Sequence, residues 1–189
     1  MDVVSNILAA FGLSSSAGLN AYLPLLVVAL TARYSDLITL KAPWNALESP
    51  WTIGVLLVLL LVEFFADKLP AVNHANDVIQ TFVRPTAGAI LFAASTGVVT
   101  NMDPVVAIVL GLFTAGAVHA TKALLVRPAV TATTGGTANP LVGLAEDLTA
   151  LVLSVVAVVL PVLISAIIIL LTALLLWWLW RRSVRYSRA

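Results

Sequence analysis

The sequence has no cysteine and few charged residues, and each shortage excludes a class of protein. Without cysteine the chain forms no disulfide, carries no catalytic thiolate and offers no cysteine-based metal site. Only 10% of the 189 residues are charged, whereas soluble domains carry about 25%. With 61% hydrophobic residues and a mean hydropathy of +1.06, the chain cannot cover a surface that faces water. It is therefore predicted to be an integral membrane protein.

Several motifs of soluble enzymes are also missing. The sequence contains no Walker A phosphate loop, no dinucleotide-binding glycine pattern, no H-E-x-x-H and no G-x-S-x-G element. Nothing indicates nucleic-acid recognition, and no cofactor is predicted. The expected partner is the lipid bilayer.

Long apolar runs, by contrast, are plentiful and predict an all-α polytopic transmembrane bundle of about six spans. A span needs about 20 apolar residues. The predicted spans are residues 3–32, which "GLSSSAGLN" interrupts as a broken first helix, then 51–67, 85–100, 104–125, and two within 141–180. At about 1.5 Å per residue the last run is twice too long for one crossing. It either folds at Pro161 or forms one long kinked helix.

The positions of the basic residues predict an orientation. Six spans place both termini on one side of the membrane, and that side holds Lys68, Arg84, Lys122, Arg127, Arg181, Arg182, Arg185 and Arg188. The other side holds Arg33 and Lys41. Because cytoplasmic segments are rich in Lys and Arg, both termini are predicted to be cytoplasmic. Residues 1–189 would form a single membrane domain, with 181–189 as a basic cytoplasmic tail.

Two parts of the chain resemble each other and suggest an internal repeat. "SPWTIGVLLVLLLVEFFADKLPAV" and "DPVVAIVLGLFTAGAVHATKALLVRPAV" both continue from a Pro through an apolar run to a Lys and "PAV". The triplet "VRP" also occurs twice. If the repeat is real, the second and fourth spans are equivalent, and so are the two "VRP" segments. Apolar sequence also aligns with itself by chance, so both interpretations stay open.

Most charged residues lie at one depth, which predicts a polar site that opens toward the cytoplasm. A charge within a span costs at least about 2.5 to 3.5 kcal/mol at the bilayer centre, so such groups pair or face a cavity. The charged residues selected as a substrate or ion site are Glu63, Asp67, Glu146, Asp147, Arg84 and Arg127. The structural alternative is that Asp67 ends a helix, that Lys122 and Arg127 extend to the interface, and that Arg84 only sets topology.

His74 and Asp77 are further candidates, on the segment "AVNHANDVIQTFV". Its apolar residues recur at helical spacing. The segment is therefore either part of the polar site or an amphipathic helix at the membrane interface.

Two stretches are rich in glycine and small hydroxyl residues, 12–24 ("GLSSSAGLNAYLP") and 131–140 ("TATTGGTANP"). Irregular backbone inside an apolar segment is tolerated only against protein or a water-filled cavity, and broken helices mark transporter binding sites. Gly18 and Asn20 are therefore candidate binding residues, with close helix packing as the alternative. The second stretch is predicted to be a loop, unless it folds back into the bundle.

Three stretches of the chain resemble an uncharacterised bacterial membrane family, domain of unknown function four-one-two-six. They are "GLSSSAGLNAYLPLL", "SPW…VEFFADKLPAVNHANDVIQTFVRPTAGA" and "NPLVGLAEDLTALV". The resemblance implies a small multi-span protein of the bacterial plasma membrane, and it carries no assigned substrate or catalytic residue.

These observations predict a small transporter or channel-like protein with a carboxylate-rich polar site. The acidic residues suit a cation or a proton, and Arg84 and Arg127 suit an anionic lipid or another phosphate-bearing substrate. One alternative is a metal-dependent intramembrane enzyme with ligands among Glu63, Asp67, His74, Asp77, His119, Glu146 and Asp147. Another is a structural or assembly subunit of a larger complex. A homo-oligomer is compatible with so small a bundle.

Overall fold

A computed structural model describes residues 3–66, 70–96 and 102–186, and these residues form a bundle of α-helices. The helices are α1 Val3–Leu19, α2 Tyr22–Tyr34, α3 Pro50–Ala66, α4 Pro70–Thr96, α5 Pro104–Thr121, α6 Arg127–Thr134 and α7 Asn139–Tyr186. A 3₁₀ helix, Trp44–Glu48, precedes α3, and a π-helix, Lys122–Val126, joins α5 to α6.

The apolar helices confirm the predicted membrane bundle. By length and composition three helical segments can cross a membrane: Val78–Thr96, Pro104–Thr134 and Asn139–Leu160. Three shorter apolar helices accompany them: Asn6–Leu19, Tyr22–Tyr34 and Pro50–Ala66. The described residues thus supply six apolar helices, although the chain divides among them differently from the prediction.

The first apolar segment is broken, as predicted, but the two halves run in opposite directions. Helix α1 ends at Leu19 and α2 starts at Tyr22. Trp44, in the 3₁₀ helix that follows α2, packs on a cluster that includes Ala10 of α1 and Phe92 of α4. Helix α2 therefore returns to the end of the bundle where α1 begins.

Helix α1 lies at the centre of the bundle, between α4, α5 and α7. The serine-rich stretch, for which irregular backbone and close helix packing were both considered, is helical up to Leu19. Its hydroxyl groups link α1 to its neighbours. Ser14 donates to the carbonyl of Gly88, 2.8 Å away, and Ser16 donates to that of Ala150, 2.7 Å away. Small residues and interhelical hydrogen bonds are the usual means of helix association in membranes. Close packing therefore explains residues 12–17, and the break itself lies at Asn20.

Helices α4 and α5 also approach each other closely, through glycines. A Cβ atom on Gly88 would overlap Ala115, and one on Gly111 would overlap the carbonyl oxygen of Gly88. Pro85 lies inside α4. The prediction of a span that starts at residue 85 is therefore wrong, because a membrane helix tolerates an internal proline where neighbouring groups satisfy the freed carbonyl.

The two "VRP" segments occupy different positions in the structure. Arg84 is buried in the interior of α4. Arg127 begins α6, directly after the π-helix, and is half-buried. The equivalence expected from an internal repeat is not observed at these residues.

Helix α7 continues through Pro161 for 48 residues. Of the two alternatives for residues 141–180, the single helix is the one observed. The stretch 131–140 ends α6, turns at Gly135 and Gly136, whose φ angles are +63° and +86°, and begins α7. Residues 131–135 are exposed, so the turn does not fold back into the bundle.

These differences change the expected position of the charged cluster relative to the termini. The charged residues gather near Leu19, at the end of α1, and 17 helical residues separate that level from Val3 by about 25 Å. Helix α7 runs antiparallel to α1, since Asn20 meets Asp147 and Gly12 meets Ala157. Both ends of the described chain therefore lead away from the charged cluster, which corrects the prediction that they share its side.

Candidate functional site

The break after α1 exposes backbone groups that the lipid interior cannot hydrate. The last carbonyls of a helix lack partners within the helix and carry partial negative charge. Two basic side chains approach them here. Arg84 Nη1 lies 3.5 Å from the carbonyl oxygen of Gly18, and Lys122 Nζ donates to that of Leu19 at 3.2 Å. The end of α1 is therefore stabilised by two buried cations instead of by water.

Arg84 is neutralised by a carboxylate from the preceding helix. Its Nη2 donates to Oε1 of Glu63 at 2.8 Å, and both side chains are 2% exposed. Glu63 lies near the end of α3 and Arg84 lies in the middle of α4, so the ion pair holds these two helices together. The pair is buried, and Nη1 of the same guanidinium approaches α1 and α5.

His119 of α5 completes this half of the site. Its Nδ1 is 3.4 Å from Nη1 of Arg84, and its Nε2 is 3.2 Å from Oγ1 of Thr81. A guanidinium donates hydrogen bonds and accepts none. Nδ1 therefore accepts, which leaves the proton of a neutral imidazole on Nε2, facing Thr81.

The second buried cation has its own carboxylate, on α7. Lys122 Nζ is 2.6 Å from Oε2 of Glu146, and the two side chains are 5% and 11% exposed. Lys122 is the first residue of the π-helix, Lys122–Val126. Single π-helical turns inside α-helices are frequent at functional sites.

Asn20 connects the break to α7. Its Oδ1 accepts from the backbone N–H groups of Tyr22 and Leu23, both at 3.0 Å, and so caps the start of α2. Its Nδ2 donates to Oδ1 of Asp147 at 2.9 Å. The amide thus satisfies two free donors of α2 and one carboxylate at once.

A cavity of about 480 Å³ opens beside the second ion pair. It lies between the end of α1, the α5–π-helix segment and α7. Its walls are formed by Leu19, Ala117, Val118, Thr121, Lys122, Val126, Val142, Ala145, Glu146 and Thr149. Small-molecule sites have volumes of roughly 300 to 1,000 Å³ and mostly apolar walls with a few polar groups. This cavity meets both criteria.

The structure brings most of the predicted site residues together around the break. These residues are Gly18, Asn20, Glu63, Arg84, Glu146 and Asp147. Arg127 lies at the start of α6, five residues from Lys122. Asp67 lies outside the described residues. His74 and Asp77 lie on α4, but their side chains are outside the described part of the chain, so their predicted roles stay predictions.

Two contributors were underestimated from sequence, Lys122 and His119. Lys122 was expected to extend to the interface, yet it is 4% exposed. Arg84 was weighed as a topology signal, yet it is 1% exposed. The available signal was spacing: His119 and Lys122 are three residues apart and therefore share one helix face. Sequence could not show that this face points to a broken helix.

A metal site finds no support among the described residues, which contain no group of three His, Asp or Glu side chains placed to hold an ion. Of the predicted ligands, Asp67 and the side chains of His74 and Asp77 lie outside the described residues.

Comparison with known proteins gives a family but no activity. The model of a family described as "Domain of unknown function (DUF4126)" matches residues 7–182. No curated protein and no solved structure matches the chain.

Proposed function

We propose that this chain, which belongs to the DUF4126 family because that family's model covers residues 7–182, is a membrane transport protein. It moves an ion or a small anionic substrate through the polar site at the break between α1 and α2. The observation that carries the proposal is the cavity at this break, which has the buried Lys122–Glu146 ion pair in its wall. Broken helices with polar groups at membrane depth are where transporters bind substrates.

Within this ion pair, Lys122 can exchange its present contacts for a contact with a substrate. Lys122 contacts both Glu146 and the carbonyl of Leu19. A substrate group that binds Lys122 weakens both contacts, and the Leu19 carbonyl belongs to the break itself. Substrate binding is thereby linked to the geometry of the α1–α2 hairpin, which is the element whose movement would open one end of the site or the other.

We place the protein in the bacterial plasma membrane, with both termini in the cytoplasm. Arg181, Arg182 and Arg185 lie near the end of α7, away from the charged cluster, and cytoplasmic segments are rich in Lys and Arg. The absence of cysteine allows a direct test with single substitutions. Thr137 lies in the exposed turn before α7 and Lys41 lies in the loop before the 3₁₀ helix. In intact cells a membrane-impermeant maleimide should label Thr137→Cys and leave Lys41→Cys unlabelled until the cells are opened. Labelling of both from the same side would contradict the hairpin arrangement of α1 and α2.

The transport proposal is tested with purified protein in liposomes. Sodium, potassium, chloride, phosphate and 1-octanesulfonate are offered in turn, and the movement of charge and of protons is recorded. Vesicles with the native chain should move at least one of these solutes faster than protein-free vesicles. The Lys122→Met/Glu146→Gln variant should reduce that flux at least about tenfold. Removing both charges avoids an unpaired buried ion, so the variant is expected to fold.

Lys41→Met is the matched control, because it also removes one lysine charge but lies in an exposed loop. Its flux should equal that of the native chain. Flux that is absent for every solute, or that persists in the double variant, would argue against a transport site at Lys122.

A further inference from the structure

The lining of the cavity beside α1 presents few polar groups to a ligand apart from one ion pair. Its two threonines, Thr121 and Thr149, donate their hydroxyl protons to carbonyls of their own helices at 2.8 and 2.7 Å. Most of the remaining lining side chains are aliphatic. A ligand that fills the cavity therefore needs an apolar body and one polar head next to Lys122 and Glu146.

Lys122 is placed to receive an anionic head. An ammonium group has three N–H donors. In the described structure Nζ donates to the carbonyl of Leu19 at 3.2 Å and forms an ion pair with Glu146 Oε2 at 2.6 Å. Donor capacity remains for a ligand, and Lys122 itself lines the cavity.

An anion cannot enter alone without a large cost, because Glu146 would lose its partner. An unpaired buried charge strongly destabilises a protein. The cost disappears if Glu146 becomes protonated as the anion arrives. The site then keeps its net charge, since one negative charge and one proton enter together.

We propose, on the basis of the transport function above, that this cavity binds a single-headed amphiphilic anion together with one proton. The ionic contact between Lys122 and Glu146 breaks, and a new one forms between Lys122 and the anionic head. A hydronium ion of the buffered solution gives its proton to the carboxylate of Glu146, which forms an O–H bond and leaves water. A second charged head on the ligand would have to lose its hydration against aliphatic walls, so ligands with one head are favoured.

The neighbouring charged groups have other partners, so the anion is expected to bind Lys122 and the proton to bind Glu146. Arg84 is bound to Glu63, and Asp147 accepts from Asn20. Arg127, at the start of α6, adds positive charge near Lys122, which favours an anion over a cation in the cavity.

The test uses 1-octanesulfonate as the probe, because its head stays anionic at every working pH and any proton taken up must go to the protein. Binding to the purified chain in lipid nanodiscs is measured by calorimetry in two buffers of different ionisation enthalpy. We expect uptake of about one proton per ligand. Between pH 6 and pH 8 the dissociation constant should therefore rise by up to about tenfold per pH unit. Empty nanodiscs give the contribution of the lipid.

Three variants separate the parts of the proposal. Glu146→Gln mimics the protonated carboxyl group and should bind the probe without proton uptake. Lys122→Met/Glu146→Gln should bind at least about tenfold more weakly, since it lacks the charge-assisted hydrogen bond. Ala145→Phe should fill the cavity and weaken binding at least about tenfold. Leu144→Phe, on a neighbouring exposed residue that does not line the cavity, should not.

Binding without proton uptake by the native chain, or equal binding by Ala145→Phe and Leu144→Phe, would overturn the inference. So would tighter binding of octylammonium, or of a zwitterionic octyl amino acid, than of the sulfonate. If Lys122 variants still abolish liposome flux of another solute in that case, the transport function stands and only the substrate class fails.

Discussion

Replacing Arg84 by methionine is expected to lower the free energy of unfolding by about 3 to 5 kcal/mol. Methionine occupies a similar length but leaves the Glu63 carboxylate buried and without its cation, and removing one partner of a buried pair has this cost. The change also removes the donor near the Gly18 carbonyl at the end of α1. The loss is measured from denaturation curves of the purified protein in detergent.

The double variant Glu63→Met/Arg84→Met provides the decisive comparison. Replacing a whole buried ion pair by apolar residues is often neutral, so the double variant should be clearly more stable than Arg84→Met alone. Arg33→Met is the control, since Arg33 is exposed and donates only to the carbonyl of Glu48. It should change stability by less than about 0.5 kcal/mol. A double variant that is no more stable than the single one would show that the pair is not the main role of Arg84.

The same variants decide between two roles for Glu63. Glu63 is 2% exposed, and its Oε1 lies 2.8 Å from the guanidinium of Arg84 in a buried ion pair. The geometry therefore favours a structural role for the Glu63–Arg84 pair. The Lys122–Glu146 pair, by contrast, lies in the wall of a cavity, where a substrate can reach it. Stability losses are expected mainly at Glu63 and Arg84, and losses of transport mainly at Lys122 and Glu146.

Apolar runs made the helical bundle predictable from sequence. Hydropathy identifies a membrane helix because every residue that faces lipid must be apolar. It does not report direction, and the segment of residues 3–34 shows the consequence. One interrupted span and two antiparallel helices have the same composition. The packing of Trp44 on the cluster that contains Ala10 and Phe92 distinguishes them. For that reason the charged cluster lies at the opposite end of the bundle from the termini and not on their side, as had been predicted.

Buried charge made much of the site predictable, although its pairing was not. Glu63, Arg84 and Glu146 were selected because charges in apolar segments need partners. The partners come from residues 21 and 24 positions away, Arg84 for Glu63 and Lys122 for Glu146. No local spacing rule reaches that far. Lys122 was misjudged because a lysine near a helix end extends to the interface as readily as it enters a bundle.

Replacing Asn20 by aspartate is expected to cause the second large loss of stability. The orientation of the Asn20 side-chain amide explains why. Its oxygen faces two backbone donors and its nitrogen faces Asp147. Asn20→Asp keeps the oxygen that caps α2 but replaces the donor by a second carboxylate oxygen against Asp147. Loss of a hydrogen bond to a charged group costs about 1.5 to 3 kcal/mol, and the repulsion between like charges adds to it. Denaturation of the purified variant should show a loss of at least about 2 kcal/mol.

Exchanging the two residues should restore the contact. In Asn20→Asp/Asp147→Asn the aspartate still accepts from the N–H groups of Tyr22 and Leu23, and the new asparagine on α7 donates to it. Most of the lost stability should return, whereas Asp147→Asn alone has a suitable acceptor for Asn20 and should cost less than Asn20→Asp. If Asn20→Asp were as stable as the native chain, the amide would not join the break to α7. Since that link fixes the end of α1 beside the cavity, recovery of stability in the exchanged pair should be accompanied by recovery of flux.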